Sequence, residues 1–146
     1  MTEDRKGMKL LAIDFGLKRM GFALGNTHIN TAVPIEPITR KDSKQAIEYI
    51  KNLVTEYDIT GILLGYPLNM DGTKSDITEH VEHFARRLKK GIDPDIAVEF
   101  VDERLSSFEA EEELKAVKPD YKKRKKVLDS ISALVILRRF METIKK

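Results

Sequence analysis

The sequence predicts an α/β fold, a five-stranded mixed sheet with its first three strands antiparallel, flanked by helices. Three features carry this reading. Residues 8–38 are apolar runs separated by glycine- and proline-bearing turns, residues 42–101 alternate helical with strand periodicity, and the chain closes on a segment that is apolar on every side at Ala133–Leu137. A meander followed by helix–strand alternation gives a layered α/β domain, in which the later strands pair in parallel.

Met8 to Phe15 is apolar on both alternating faces, as in a strand covered on both sides at the centre of a sheet. Gly16-Leu17-Lys18-Arg19 turns the chain into a second strand over Gly21–Leu24, and Gly25-Asn26-Thr27 signals another turn. Thr31–Ile38 is a third strand, which Pro34 and Pro37 confine to an edge. Asp42 and Gln45 have capping-box spacing, and Ala46, Ile47, Ile50, Leu53, Val54 and Tyr57 form one helical stripe. Ile59–Leu64 reads as a buried parallel strand running into the loop Gly65-Tyr66-Pro67. Thr73 or Ser75 caps the next helix, with Ile77, Val81, Phe84 and Leu88 inward and Gly91 at its end. Ile96–Val101 is a fifth strand; Ser106 and Glu109 then open a short acidic helix to about Val117, stopped near Pro119, and the last helix runs from about Arg124 to Ile144. One domain over 1–146 is expected, with 1–7 as a flexible polar tail.

Composition narrows the function classes. With no cysteine there are no disulfides, thiol nucleophiles or zinc thiolates, which suits a reducing cytoplasm. No apolar run approaches a membrane span, and no signal-peptide core follows the tail, so a cytoplasmic protein without membrane contact is expected. The net charge of +2 conceals five consecutive cations, Lys122, Lys123, Arg124, Lys125 and Lys126, beside Tyr121. Such a block suits a nucleic-acid backbone, or is a solvated loop. His80 and His83 flank an apolar stripe without a partner acid and do not form a metal motif. Aromatic residues are 7% and tryptophan is absent, which argues against rows of stacked bases.

Three carboxylates stand out. Asp14 lies inside an apolar strand, where an unpaired acid is costly. It is either paired by Lys18 or Arg19 in the following turn, or a ligand of a metal ion. Asp102 and Glu103 directly follow the fifth strand, at the end where open α/β sheets place their crevice, and alternation lets one of them face it; the plainer alternative is a cap or a pair with Arg104. Asp129 stands four, seven and eleven residues before Ala133, Ile136 and Phe140, at the head of an inward stripe, where it is a ligand or a cap. Clustered carboxylates repel unless cations neutralise them, and magnesium or manganese favours oxygen ligands. Two such ions about 4 Å apart suit phosphodiester hydrolysis.

Four motifs in order, Asp14-Phe15-Gly16-Leu17-Lys18-Arg19-Met20-Gly21 with Ala23, Gly65-Tyr66-Pro67-Leu68-Asn69-Met70-Asp71-Gly72-Thr73, Asp102-Glu103-Arg104-Leu105-Ser106-Ser107, and Asp129-Ser130 with Ala133 and Ile136-Leu137, resemble the YqgF/RuvX family of RNase H-like nucleases. The resemblance implies an RNase H-like fold and metal-dependent hydrolysis by Asp14, Glu103 and Asp129, the ligands of Mg2+ or Mn2+, with two ions expected. It also implies a role in pre-16S rRNA processing and ribosome biogenesis, with Holliday junction resolution on branched DNA as the alternative. Related resolvases carry an acid at the end of the fourth strand, where this chain has Gly65-Tyr66-Pro67, so its second acid comes from the fifth. Lys18, Arg19, Arg104 and the block 122–126 would hold phosphates of structured RNA. The amides of the loop 65–73 offer a further phosphate cradle, or plain turn chemistry.

Two other classes compete. Ile13-Asp14-Phe15-Gly16 is also similar to the first phosphate loop of actin-like kinases and ATPases, which build their site between two copies of this fold, whereas this chain holds one. A non-catalytic RNA-binding module would need the basic block and no metal. A junction resolvase needs a dimer to cut symmetrically, and a monomer or weak dimer suits RNA processing.

Overall fold

The computed structural model describes residues 8–102 and 121–144, without the side chains of 121–129. In chain order it comprises β1 (Lys9–Asp14), β2 (Arg19–Asn26), β3 (Thr31–Thr39), α1 (Ser43–Tyr57), β4 (Gly61–Tyr66), α2 (Asp76–Gly91), β5 (Ala97–Asp102) and α3 (Tyr121–Ile144). The sheet order is β3-β2-β1-β4-β5, so β1 is central and the proline-bearing β3 lies at an edge, as expected. β1 pairs antiparallel with β2 and parallel with β4, and β4 pairs parallel with β5. The short helix expected over 106–117 falls outside the described residues.

Alternation along the strands divides the core into two layers. Leu11 and Ile13 of β1, Met20 and Phe22 of β2, and Ile62 and Leu64 of β4 pack with Ala46, Ile50 and Leu53 of α1 and Val81, Phe84 and Leu88 of α2. The opposite face carries Leu10 and Ala12 of β1, Ala23 of β2 and Leu63 of β4, against Ala133, Leu134, Ile136, Leu137 and Met141 of α3. Residues 133–137 are all buried, which satisfies the expectation for an all-round apolar segment. Tyr57, placed on the α1 stripe by spacing, is more than a third exposed because the helix ends there, with Asp58 in a left-handed conformation.

Both capping signals form. The Asp42 carboxylate accepts from the Gln45 amide at 2.8 Å, while the Gln45 side chain reaches past the cap to accept from the Lys41 amide at 2.7 Å. At α2 the cap is Ser75, and Thr78 returns the bond by accepting from the Ser75 amide at 3.0 Å. α3 begins at Tyr121, before the expected start near Arg124, so the block 122–126 lies within the helix's opening turns and not in a loop.

The direction of α3 follows from two contacts. A Cβ built on Gly25 would lie 2.8 Å from both Leu137 methyls, so this helix rests directly on backbone at the level of Leu10, the partner of Gly25. Seven residues earlier, the Ser130 hydroxyl donates to the Ile35 carbonyl at 2.6 Å, and Ile35 pairs with Phe22, the partner of Ile13. Seven helical residues advance about 10.5 Å and three strand residues about 10 Å, so α3 runs antiparallel to β1 and in step with it. Position 129 therefore lies at the end of the sheet that holds Asp14.

Replacing Gly25 by valine inserts atoms into the buried contact with Leu137. Overpacking of this kind costs about 1–3 kcal/mol, so Gly25→Val lowers the denaturation midpoint in urea accordingly, and an unchanged midpoint would refute the close contact.

Candidate functional site

Asp14 is the last residue of β1 and is partly buried. Strand parity places it on the α3 face, in line with Leu10 and Ala12. Its partner on β2 is Gly21, and one step beyond the last registered pair on the other side, Ile13 with Leu64, comes Gly65. The carboxylate is thus flanked at its own level by two residues without side chains. Gly65 in turn pairs with Val101, which packs into the α3 layer.

That register fixes the face of Asp102, the last residue of β5. Val101 belongs to the α3 layer, so Asp102, paired with Tyr66, belongs to the opposite face and is exposed. Asp102 and Asp14 stand two strands apart, about 9.5 Å, on opposite sides of the sheet. Glu103 and Arg104 lie outside the described residues, as does the side chain of Asp129. Among the described residues no group of three or more His, Cys, Asp or Glu is placed to hold a metal. His80 and His83 are exposed on α2.

The turn after Asp14 is built on Gly16, where a Cβ would lie 2.3 Å from the Arg19 carbonyl oxygen. Lys18 is exposed in this turn, and Arg19 is the partly buried first residue of β2, paired with Thr39. A residue that sequence reasoning passed over sits beside them. Arg40 follows β3, its amide donates to the Lys18 carbonyl at 2.7 Å, and its guanidinium lies 5.2 Å from the centroid of the Phe15 ring. Its Nε is buried with no hydrogen-bond partner among the described residues. The available signal was topological: in a three-stranded meander, the third strand ends on the same side as the first.

The loop from β4 to α2 serves mainly itself. The Leu68, Asn69, Gly72 and Thr73 amides donate to the Tyr66, Thr73 and Asn69 carbonyls and the Asp71 carboxylate, respectively, and Gly72 takes a positive φ of 90°. Those amides are committed, which favours turn chemistry over a phosphate cradle. Thr78 of α2 anchors the loop by donating to the Pro67 carbonyl at 2.6 Å. Beside it, the Tyr66 hydroxyl donates to Glu82 at 2.5 Å, Lys74 bridges to the same oxygen at 2.9 Å, and the Tyr66 ring stacks on Phe100 with centroids 4.6 Å apart. The bond from Tyr66, then that from Lys74, holds the Glu82 carboxyl below its usual range. The same bonds to Glu82 push the Tyr66 phenol and the Lys74 ammonium up.

Sequence comparison decides the family. The profile of the RuvX family, described as Holliday junction resolvase, matches residues 8–143. The chain belongs to the RuvX family. Among curated relatives, a protein of Lachnospira eligens named "Putative pre-16S rRNA nuclease" is 37% identical over 142 residues, covering 95% of this chain and all of that one. A protein of the same name from Buchnera aphidicola is 41% identical over 134 residues, 89% of this chain and 93% of the relative. Among solved structures, the fowlpox virus resolvase in complex with Holliday junction DNA aligns with a TM-score of 0.60 at 14% identity, over 95% of this chain and 100% of that one. Thermus thermophilus RuvC with a Holliday junction substrate aligns at 0.52 and 10% identity, over 93% and 96%. The RuvX chain thus has the RNase H-like fold of the resolvases.

The Tyr66–Glu82–Lys74 cluster generates a pH dependence. The lowered Glu82 pKa makes its contribution present above the ordinary carboxylate range and lost as pH falls through the lowered value. The raised Lys74 and Tyr66 values make theirs present at neutral pH and lost as pH rises through them. In an alkaline ultraviolet titration, Glu82→Gln brings one tyrosinate transition to lower pH than in the wild type; identical curves would show that Glu82 does not hold the phenol.

Proposed function

We propose that this RuvX chain is a Mg2+- or Mn2+-dependent endonuclease acting on the 16S rRNA precursor in the cytoplasm, with Asp14, Glu103 and Asp129 as its catalytic acids and metal ligands. The observation that carries the reading is the in-step, antiparallel course of α3 along β1, which brings position 129 to the Asp14 end of the sheet. Pleat parity supplies the third acid. If β5 continues its alternation past Asp102, Glu103 shares the face of Val101 and Asp14, and so is favoured over Asp102. The names of the curated relatives support the substrate, and the family's description makes branched DNA the second reading.

The residues fit a hard divalent cation. Asp14 offers carboxylate oxygens, the donors such an ion favours, at a strand end where the residues in register on both sides are glycines. When bound, such ions activate a water and stabilise the leaving oxygen of the phosphodiester. The chain's own part is to place the strand and hold the scissile phosphate. Lys18 and Arg19 follow Asp14 in the chain and Arg104 follows Glu103, and all three are assigned to phosphate binding together with Lys122, Lys123, Arg124, Lys125 and Lys126 of the opening turns of α3. We assign all of residues 1–146 to one RNase H-like domain, working as a monomer or weak dimer.

The test is cleavage of a precursor 16S rRNA fragment, alongside a four-way DNA junction, with Mn2+ or Mg2+. Wild-type protein cleaves the RNA, and Asp14→Asn loses at least roughly 100-fold in rate, the scale on which even outer-shell partners of metal ligands count, while its melting curve shows a folded protein. Undiminished cleavage by Asp14→Asn would overturn the assignment, and cleavage of the junction alone would transfer it to branched DNA.

A further inference from the structure

We infer that the exposed C-terminal half of α2 is a second phosphate-binding surface that holds an arm of a structured nucleic-acid substrate away from the cleavage site. The inference rests on the nuclease reading and adds a surface to it. Helical spacing turns Ile77, Val81, Phe84 and Leu88 into the core, and leaves His83, Arg86, Arg87, Lys89 and Lys90 exposed. No acid stands among residues 83–91.

Two observations set this half-helix apart. The acids of α2, Asp76, Glu79 and Glu82, are all in its first half, and Glu82 is held by Lys74 and Tyr66. Among the described residues, the side chains of Arg87, Lys89 and Lys90 have no ion pair or hydrogen bond, so their charge is available to a partner. Favourable interaction with the helix dipole accounts for Lys89 and Lys90 in the last turn, and Arg86, one helical turn after Glu82, adds to the positive field on that carboxylate, but neither effect accounts for Arg87. The neighbouring helix α1 is different, with Glu48 pairing Lys51 and a further acid, Glu56, in its last turn.

The placement suits a long substrate. α2 starts where the β4 loop is pinned to Thr78, at the sheet end that carries Asp14, and runs back along the sheet. Arg87 and Lys90 stand 12 and 15 residues past the Ser75 cap, or about 18–22 Å along the axis. A duplex presents one phosphate charge per about 1.7 Å, so an arm lying there meets several phosphates. A polyanion is the partner that a row of unpaired cations with no intervening acid fits.

The experiment measures binding of a fluorescent 20-base-pair RNA duplex to the full chain in EDTA, over a series of salt concentrations. Arg87→Glu with Lys90→Glu weakens binding about tenfold and flattens the slope of log K against log salt by about 1.8, at roughly 0.9 per lost phosphate contact. The milder pair Arg87→Gln and Lys90→Gln gives the same direction, and circular dichroism verifies the fold of each variant. As a control, Lys44→Glu with Lys51→Glu on α1 makes the same change in net charge and leaves the slope unaltered. An unchanged slope in the α2 variants, or equal loss in the α1 control, would overturn the surface. Cleavage by Asp14→Asn reports on the nuclease reading separately, because binding in EDTA needs neither metal nor catalysis.

Discussion

The contact between α3 and the bare backbone of β2 is the constraint on which the rest of this molecule depends. Gly21, Ala23 and Gly25 lie on the helix-facing side of β2, and Ala12 lies beside them on β1, so that face of the sheet is nearly flat where the helix crosses it. Leu137 settles onto Gly25 and Ser130 onto the Ile35 carbonyl, which fixes both the height of the helix and its position along its axis. A slide by one turn, about 5.4 Å, would break both contacts together. Sheet packing therefore determines where position 129 lies relative to Asp14.

The same face explains how a carboxylate is tolerated at the end of the central strand. Asp14 is partly buried, and the residues level with it on the two adjacent strands are Gly21 and Gly65, which leave room for a carboxylate at this strand end. The opposite face at this end is organised differently. There Phe15 packs on Phe84 with centroids 5.1 Å apart, Arg40 lies over Phe15, and Tyr66 stacks on Phe100 while bonded to Glu82. One side of the sheet end is lined by small residues and the other is filled by rings and charge pairs, which is how a single strand end supports a site without losing its core.

Much of this was legible in the sequence because it rests on local chemistry. Pro34 and Pro37 marked β3 as an edge, Asp42 and Ser75 announced helix starts, and the stripe of Val81, Phe84 and Leu88 faced inward as spacing required. Alternation in β5 implied that only one of Asp102 and Glu103 faces the crevice, and the pairing of Tyr66 with Asp102 says which face Asp102 takes. What could not be read rests on contacts between distant segments. Arg40 meets Phe15 across 25 positions, Tyr66 meets Glu82 across 16, and Ser130 meets Ile35 across 95. The block 122–126 illustrates a different limit: consecutive lysines carry no amphipathic period, so the sequence offered no helical signal where α3 begins.

The central claim is that the course of α3 brings the acid at 129 to the face and end of the sheet that hold Asp14, with 103 following from the parity of β5. The most direct measurement is a crystal structure of the chain soaked in manganese, read by anomalous scattering. The account predicts Mn2+ bound by carboxylate oxygens of Asp14, Glu103 and Asp129, at the roughly 2.0–2.2 Å typical of small hard divalent ions. Manganese bound at this sheet end by Asp102 in place of Glu103, or bound elsewhere with Asp14 taking no part, would contradict it.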